Sequence, residues 1–102
     1  MAKWHDAAPA TDVVEDQILC CELNGVALAL FRVGDDVFAL HDLCTHGQAR
    51  LSDGFIENGC VECPLHQGLV DIRTGLPRSA PITQPVRSYP ARQVSDRIEI
   101  LL

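Results

Sequence analysis

Residues 18–40 read ILCCELNGVALALFRVGDDVFAL, and this stretch decides the fold class. Two apolar runs, 18–24 and 26–33, flank Asn24-Gly25. Both positions tolerate the positive φ of a type I′ turn, so the dipeptide reads as a tight hairpin. Gly34-Asp35-Asp36 then turns the chain into Val37–Leu40, a third short strand. The spacing predicts a three-stranded antiparallel meander. No part of the first 42 residues carries a sustained helical period, and Asp12–Gln17 is expected to make one turn.

Downstream the texture changes. Glycines recur at positions 47, 54, 59, 68 and 75 while the apolar runs shorten, which suits tight loops between very short strands. Leu69–Ile72 reads as a strand, and Pro77, Pro81 and Pro85 make 76–85 an extended connection. Val86–Val94 and Arg97–Leu101, joined at Ser95-Asp96, read as a closing hairpin. Pro90 confines the first of those strands to an edge or a bulge. The expectation is an all-β chain, one domain over 1–102, with a loop-rich insert at about 43–72. That insert is expected to hold few apolar residues and little regular hydrogen bonding.

At 102 residues and 11.2 kDa there is no room for a catalytic domain beside a cofactor domain. The longest apolar run, Val26–Phe31, is far short of the roughly 18 residues of a membrane helix, so no membrane span is expected. The net charge of −6 argues against nucleic acid, which leaves a basic footprint on its partners. Residues 1–42 hold eight acids and two bases, and 43–102 hold six of each. Solubility and steering toward a basic partner are both open readings of that asymmetry. The first sixteen residues show acids and no apolar signal core, so a cytoplasmic protein is expected.

Five cysteines in such a chain point to metal or redox chemistry more than to disulfides. Two clusters stand out: Cys44-Thr45-His46-Gly47, and the run from Cys60 through Cys63, Pro64 and His66 to Gly68. Two thiolates and two imidazoles on facing loops suit zinc or an iron–sulfur cluster, and no hard cation. Cys60-x-x-Cys63 is itself a zinc spacing, but using Cys60 would strand one of the histidines. Cys20 and Cys21 are adjacent, face opposite sides of their strand and read as packing residues; His5 and His41 read as ordinary polar residues.

Cys44-x-His46, sixteen intervening residues, then Cys63-x-x-His66 resembles the Rieske [2Fe–2S] box. The wider chain is similar to the Rieske-type ferredoxins of bacterial aromatic ring-hydroxylating dioxygenases of the naphthalene and biphenyl type. The likeness includes Leu51-Ser-Asp-Gly54, Ala80-Pro81, Trp4 and Tyr89-Pro90. It implies a Rieske fold, an antiparallel sandwich or barrel-like base carrying a small loop-rich cluster-binding subdomain. It implies that Cys44 and Cys63 bind one iron of a single [2Fe–2S] cluster and His46 and His66 the other, with Pro81 in a covering loop. It also implies a monomeric one-electron carrier, not an enzyme, between an NAD(P)H-dependent flavoprotein reductase and a terminal oxygenase. Respiratory relatives carry an extra cysteine in each ligand loop, where this chain has Ala49 and Leu65, and two hydroxyl side chains, where it has Gly68 and Val70. Fewer hydrogen bonds to the sulfurs imply a low potential. Val70, in place of an aromatic residue, implies a looser and wetter pocket on its side.

Overall fold

The structure is a computed structural model that describes residues 2–43, 49–64, 67–80 and 82–102. Its strands are β1 (Trp4–Pro9), β2 (Leu19–Leu23), β3 (Val26–Val33), β4 (Asp36–His41), β5 (Phe55–Glu57), β6 (Cys60–Glu62), β7 (Leu69–Asp71), β8 (Ser88–Tyr89), β9 (Ala91–Val94) and β10 (Arg97–Leu101). They form three sheets, ordered β1-β10-β9, β2-β3-β4-β8 and β5-β6-β7, and every pairing is antiparallel.

The meander of β2, β3 and β4 forms as its sequence requires. Asn24 and Gly25 take φ values of 50° and 80°, so both central residues of the turn lie in the left-handed region that type I′ needs. The β3–β4 turn places Gly34 at φ 63°, a conformation that glycine adopts without steric cost.

β3 has an unbroken apolar run, and the structure shows why alternation is absent there. Ala29 and Phe31 enter one buried cluster with Leu40, Leu51, Val61, Cys63, Val70 and Ile72. Leu28 and Leu30 enter another with Ala8, Val13, Val37, Ala39, Ile98 and Ile100. The meander is thus a central layer, with β1-β10-β9 over one face and β5-β6-β7 over the other. An antiparallel sheet covered on both faces loses the polar side of its usual pattern.

Two expectations are corrected. The segment 86–94 is two strands: Tyr89 pairs with Ala39 in one sheet, while Ala91–Val94 pairs with β10 in another. Pro90, which lacks an N–H for either ladder, is where the chain changes sheets, and its carbonyl accepts from the Leu101 N–H at 2.9 Å. The turn expected within Asp12–Gln17 forms at Glu15–Asp16, with Asp16 at φ 63°, and a 3₁₀ turn at Ala10–Asp12 precedes it. The described part of the insert holds more regular structure than its composition suggests, for it contains the sheet β5-β6-β7, and Leu51, Val61 and Val70 are fully buried.

Gly54 lets the start of β5 lie close against the end of β6. A Cβ built there would stand 1.9 Å from the Glu62 carbonyl oxygen, which is backbone and cannot swing aside. Gly54→Ala is therefore expected to cost about 1–3 kcal/mol, the range for overpacking a tight contact. Thermal unfolding should show a clear drop in midpoint; an unchanged midpoint would mean that β5 moves away at no cost.

Candidate metal centre

Three stretches of chain approach one end of the cluster that contains Cys63. The first is the neck of the segment 43–50. It leaves the end of β4 and is closed by a bridge between Leu43 and Arg50. Next to that neck, Ala49 packs on the buried cluster and Leu51 lies inside it. The second is the turn after β6, where the Cys63 N–H donates to the Gly68 carbonyl at 2.8 Å and the Gln67 N–H to the Cys63 carbonyl at 2.9 Å. The third is 77–80 with Ile82. Pro77 bridges Val70, the Arg78 N–H donates to the Leu69 carbonyl at 2.8 Å, and the Ser79 hydroxyl accepts from the Leu69 N–H at 2.9 Å. Ile82 enters the same cluster as Cys63.

Of the four expected ligands, Cys63 is described. It is 1% exposed, is not in a disulfide and sits at the mouth of its turn. Cys44, His46 and His66 lie outside the described residues, as do Leu65 and Pro81. Among the described residues no group of three or more His, Cys, Asp or Glu side chains could hold a metal ion. Among the described residues, His5, His41, Cys20, Cys21 and Cys60 come together in no such group. Asn24 lies 3.4 Å from His5, and His41 is a β4 residue opposite Leu28. Cys20 is exposed on β2 and Cys21 half-buried, on opposite faces as adjacent strand residues must be.

Residues 3–90 match the Rieske [2Fe-2S] domain. The chain belongs to the Rieske family. Its cofactor is accordingly one [2Fe–2S] cluster of the Rieske type, and the geometry fits that group: a buried free thiol at a closed turn, with the neck of a Cys-x-His loop seated in the same apolar cluster. This Rieske chain is 53% identical over 100 residues to the anthranilate 1,2-dioxygenase ferredoxin subunit of Burkholderia cepacia, covering 98% of this chain and 93% of the relative. It is 42% identical over 98 residues to the ferredoxin component of the naphthalene 1,2-dioxygenase system of Pseudomonas putida, covering 96% and 94%. Among solved structures, the complex of reduced oxygenase and oxidized ferredoxin in carbazole 1,9a-dioxygenase holds a chain that superposes with a TM-score of 0.88 at 34% identity, covering 95% of this chain and 91% of that one.

Two sequence readings sharpen on this Rieske frame. Val61 and Cys63 share the buried cluster, whereas Cys60 belongs to neither apolar cluster. Strand alternation points Cys60 away from the side that Val61 and Cys63 occupy. Burial pushes its thiol pKa up, Arg78 offsets this in part, and Asp71 and Glu57 add to the rise. Val70, the residue that stands where an aromatic is usual, has no exposed surface and packs among apolar residues.

Asp42 and its partners escaped the sequence reading. Its carboxylate is the buried charge at the foot of the first loop. It accepts from the Ser52 N–H and the Ser52 hydroxyl, both at 2.8 Å, and from Arg50 Nη1 at 3.2 Å. The available signal was an acid, a base and a serine within eleven residues around a ligand pair.

Thiol chemistry separates these cysteines. Burial raises the pKa of Cys21 as well as that of Cys60, so both stay protonated and unreactive at neutral pH. Iodoacetamide at pH 7.5 should alkylate the exposed Cys20 first in the folded protein, with Cys21 and Cys60 modified more slowly. Peptide mass spectrometry reads the order. Cys60→Ala should keep its visible absorption; a colourless variant would place Cys60 among the ligands.

Proposed function

We propose that this chain is the ferredoxin of a multicomponent aromatic-ring dioxygenase system, a low-potential one-electron carrier and not an enzyme. The observation that carries the reading is the meeting of three loop feet on the buried cluster around Cys63, in a chain of the Rieske family. Cys44 and Cys63 are the thiolate ligands of one iron, and His46 and His66 the imidazole ligands of the other. When bound, the cluster takes up and releases a single electron. Residues 1–102 act as one domain, with 43–72 as the cluster-binding insert.

The protein's own residues hold the ligands and keep water away. Cys63 is fixed through its backbone on both sides, and the surrounding Val61, Val70 and Ile72 have no exposed surface. Gly68 and Val70 supply no hydroxyl for a cluster sulfur. An added electron is then less stabilised, which suits delivery to an oxygenase and not acceptance from a quinol.

The donor is an NAD(P)H-dependent flavoprotein reductase and the acceptor a terminal oxygenase, as the ferredoxin–oxygenase complex of carbazole 1,9a-dioxygenase suggests. The carrier works as a monomer in the cytoplasm. No helix among the described residues is long and apolar enough to cross a membrane.

Aerobically purified protein should contain iron and acid-labile sulfide in equal amounts, two of each per chain as the [2Fe–2S] formula requires, with no stoichiometric zinc. Its midpoint should fall at the low end of the Rieske range, near about −150 mV. One zinc per chain without labile sulfide would refute the cofactor assignment, and a midpoint well above zero on voltammetry would refute the low-potential role.

A further inference from the structure

The segment that carries Cys44 and His46 starts at the end of β4 and returns at Arg50. Its neck is fastened at three levels. A backbone bridge joins Leu43 and Arg50, the Leu51 N–H donates to the Asp42 carbonyl at 2.6 Å, and the Asp42 N–H is tied into the central sheet through the Ala27 carbonyl at 2.9 Å. Across the neck, the Asp42 carboxylate with no exposed surface gathers two bonds from Ser52 and one from Arg50.

A carboxylate removed from water costs several kcal/mol unless charge and donors replace its hydration. Replacement here is complete among the described residues: no buried side-chain nitrogen or oxygen lacks a partner. All three donors come from the strand side of the loop return, at Arg50 and Ser52, so the carboxylate is satisfied only while the two ends of the loop stand together. The neighbouring ends of the other two loops are held by ordinary backbone bonds and a neutral Ser79 hydroxyl. The first loop is thus the one fastened by a buried charge.

We propose that Asp42, with Arg50 and Ser52, is a latch that positions the first ligand pair, holding the neck of the 43–50 loop closed so that Cys44 and His46 are presented together. Asp42 is a positioning residue: it acts on the cluster through the loop it closes. The inference rests on the reading of Cys44 and His46 as ligands. With the latch closed, loss of the cluster requires the loop neck to open against three charge-assisted bonds. With it weakened, the neck opens more often and the ligand pair samples several arrangements.

The test uses intact holoprotein and an iron chelator, with cluster loss followed by visible absorption and the reduced protein examined by electron paramagnetic resonance. Asp42→Asn keeps an acceptor for the Ser52 N–H but loses the charge; Asp42→Ala loses both. Cluster half-life should shorten about tenfold in the first, the effect of roughly 1.4 kcal/mol from a charge-assisted bond, and further in the second. The resonance lines should broaden in that same order. Asp53→Asn removes an equal charge from an exposed side chain in the same segment and should behave as wild type. Wild-type half-life and line shape in Asp42→Ala would overturn the proposal, as would an equal effect from Asp53→Asn.

Should neither Asp42 variant fold, Arg50 decides: Arg50→Gln should lose the cluster faster while Arg50→Lys, which can still reach one carboxylate oxygen, should not. Equal half-lives for these two would overturn the latch. Cys44→Ser keeps the failures apart. A native cluster in that variant sinks the ligand reading, whereas its loss beside an unaffected Asp42→Ala sinks the latch alone.

Discussion

β3 has to bury both of its faces, and the rest of the structure is arranged around that requirement. Leu28 and Leu30 point into one core, Ala29 and Phe31 into the other, and all four have 1% exposure or less. A sheet with apolar residues on both sides cannot rest against a single partner layer. The terminal strands β1, β9 and β10 close one face, and the short strands of the insert close the other. Removing a side chain such as Phe31 would open a cavity under the insert at a cost of about 3–5 kcal/mol, a large part of the stability of a small domain.

The metal centre inherits its position from this stacking. The insert must be present to cover Ala29, Phe31 and Leu40, so its sheet is held by the core whatever its loops carry. The loop ends that frame the ligands are therefore anchored by hydrophobic burial on one side and by specific polar clasps on the other. Burial sets where the loops stand, since it is non-directional and tolerates small shifts. Hydrogen bonds at Asp42 and around Cys63 set the angle at which each loop leaves, since they are directional. A site that binds one rigid group through two loops needs both kinds of restraint.

Membership of the Rieske family and the central meander were legible in the sequence because their signals are local. Asn24-Gly25 encodes its turn by backbone sterics alone, and Asn58-Gly59 repeats the device at φ 48° and 78°, although its hairpin of β5 and β6 is too short to show strand periodicity. β1 was not legible. Its residues WHDAAP have poor strand propensity, and it exists because β10 offers an open edge more than eighty residues away in the chain. Pro90 signalled an interruption but could not say that the chain passes there from one sheet to another. Asp42 looked like one more surface acid, because burial depends on Arg50 and Ser52 arriving from the far side of a loop. Gln67 adopts φ 61° beside the second ligand pair, where an adjacent glycine drew the attention.

Four of the eight acids in residues 1–42 gather at one turn. Asp35 and Asp36 lie at the β3–β4 turn, and Glu15 is brought there by accepting from the Gly34 N–H at 2.6 Å, with Asp16 beside it in the chain. Asp42 follows the opposite end of β4. Six strand residues put about 17–20 Å between the ends, roughly twice the screening length of about 8 Å in physiological salt. The acids at the turn thus exert little field on the ligand loops. Near the loops, the negative charge of Asp42 is buried and paired with Arg50 at 3.2 Å. Arg73 stacks 5.0 Å above Phe38 and pairs with Asp36 at 3.8 Å, which keeps it with the acidic turn. Glu22, exposed on β2 opposite Ala27, stands at the Asp42 end of the same sheet, so the acid excess is concentrated at the turn without being confined to it.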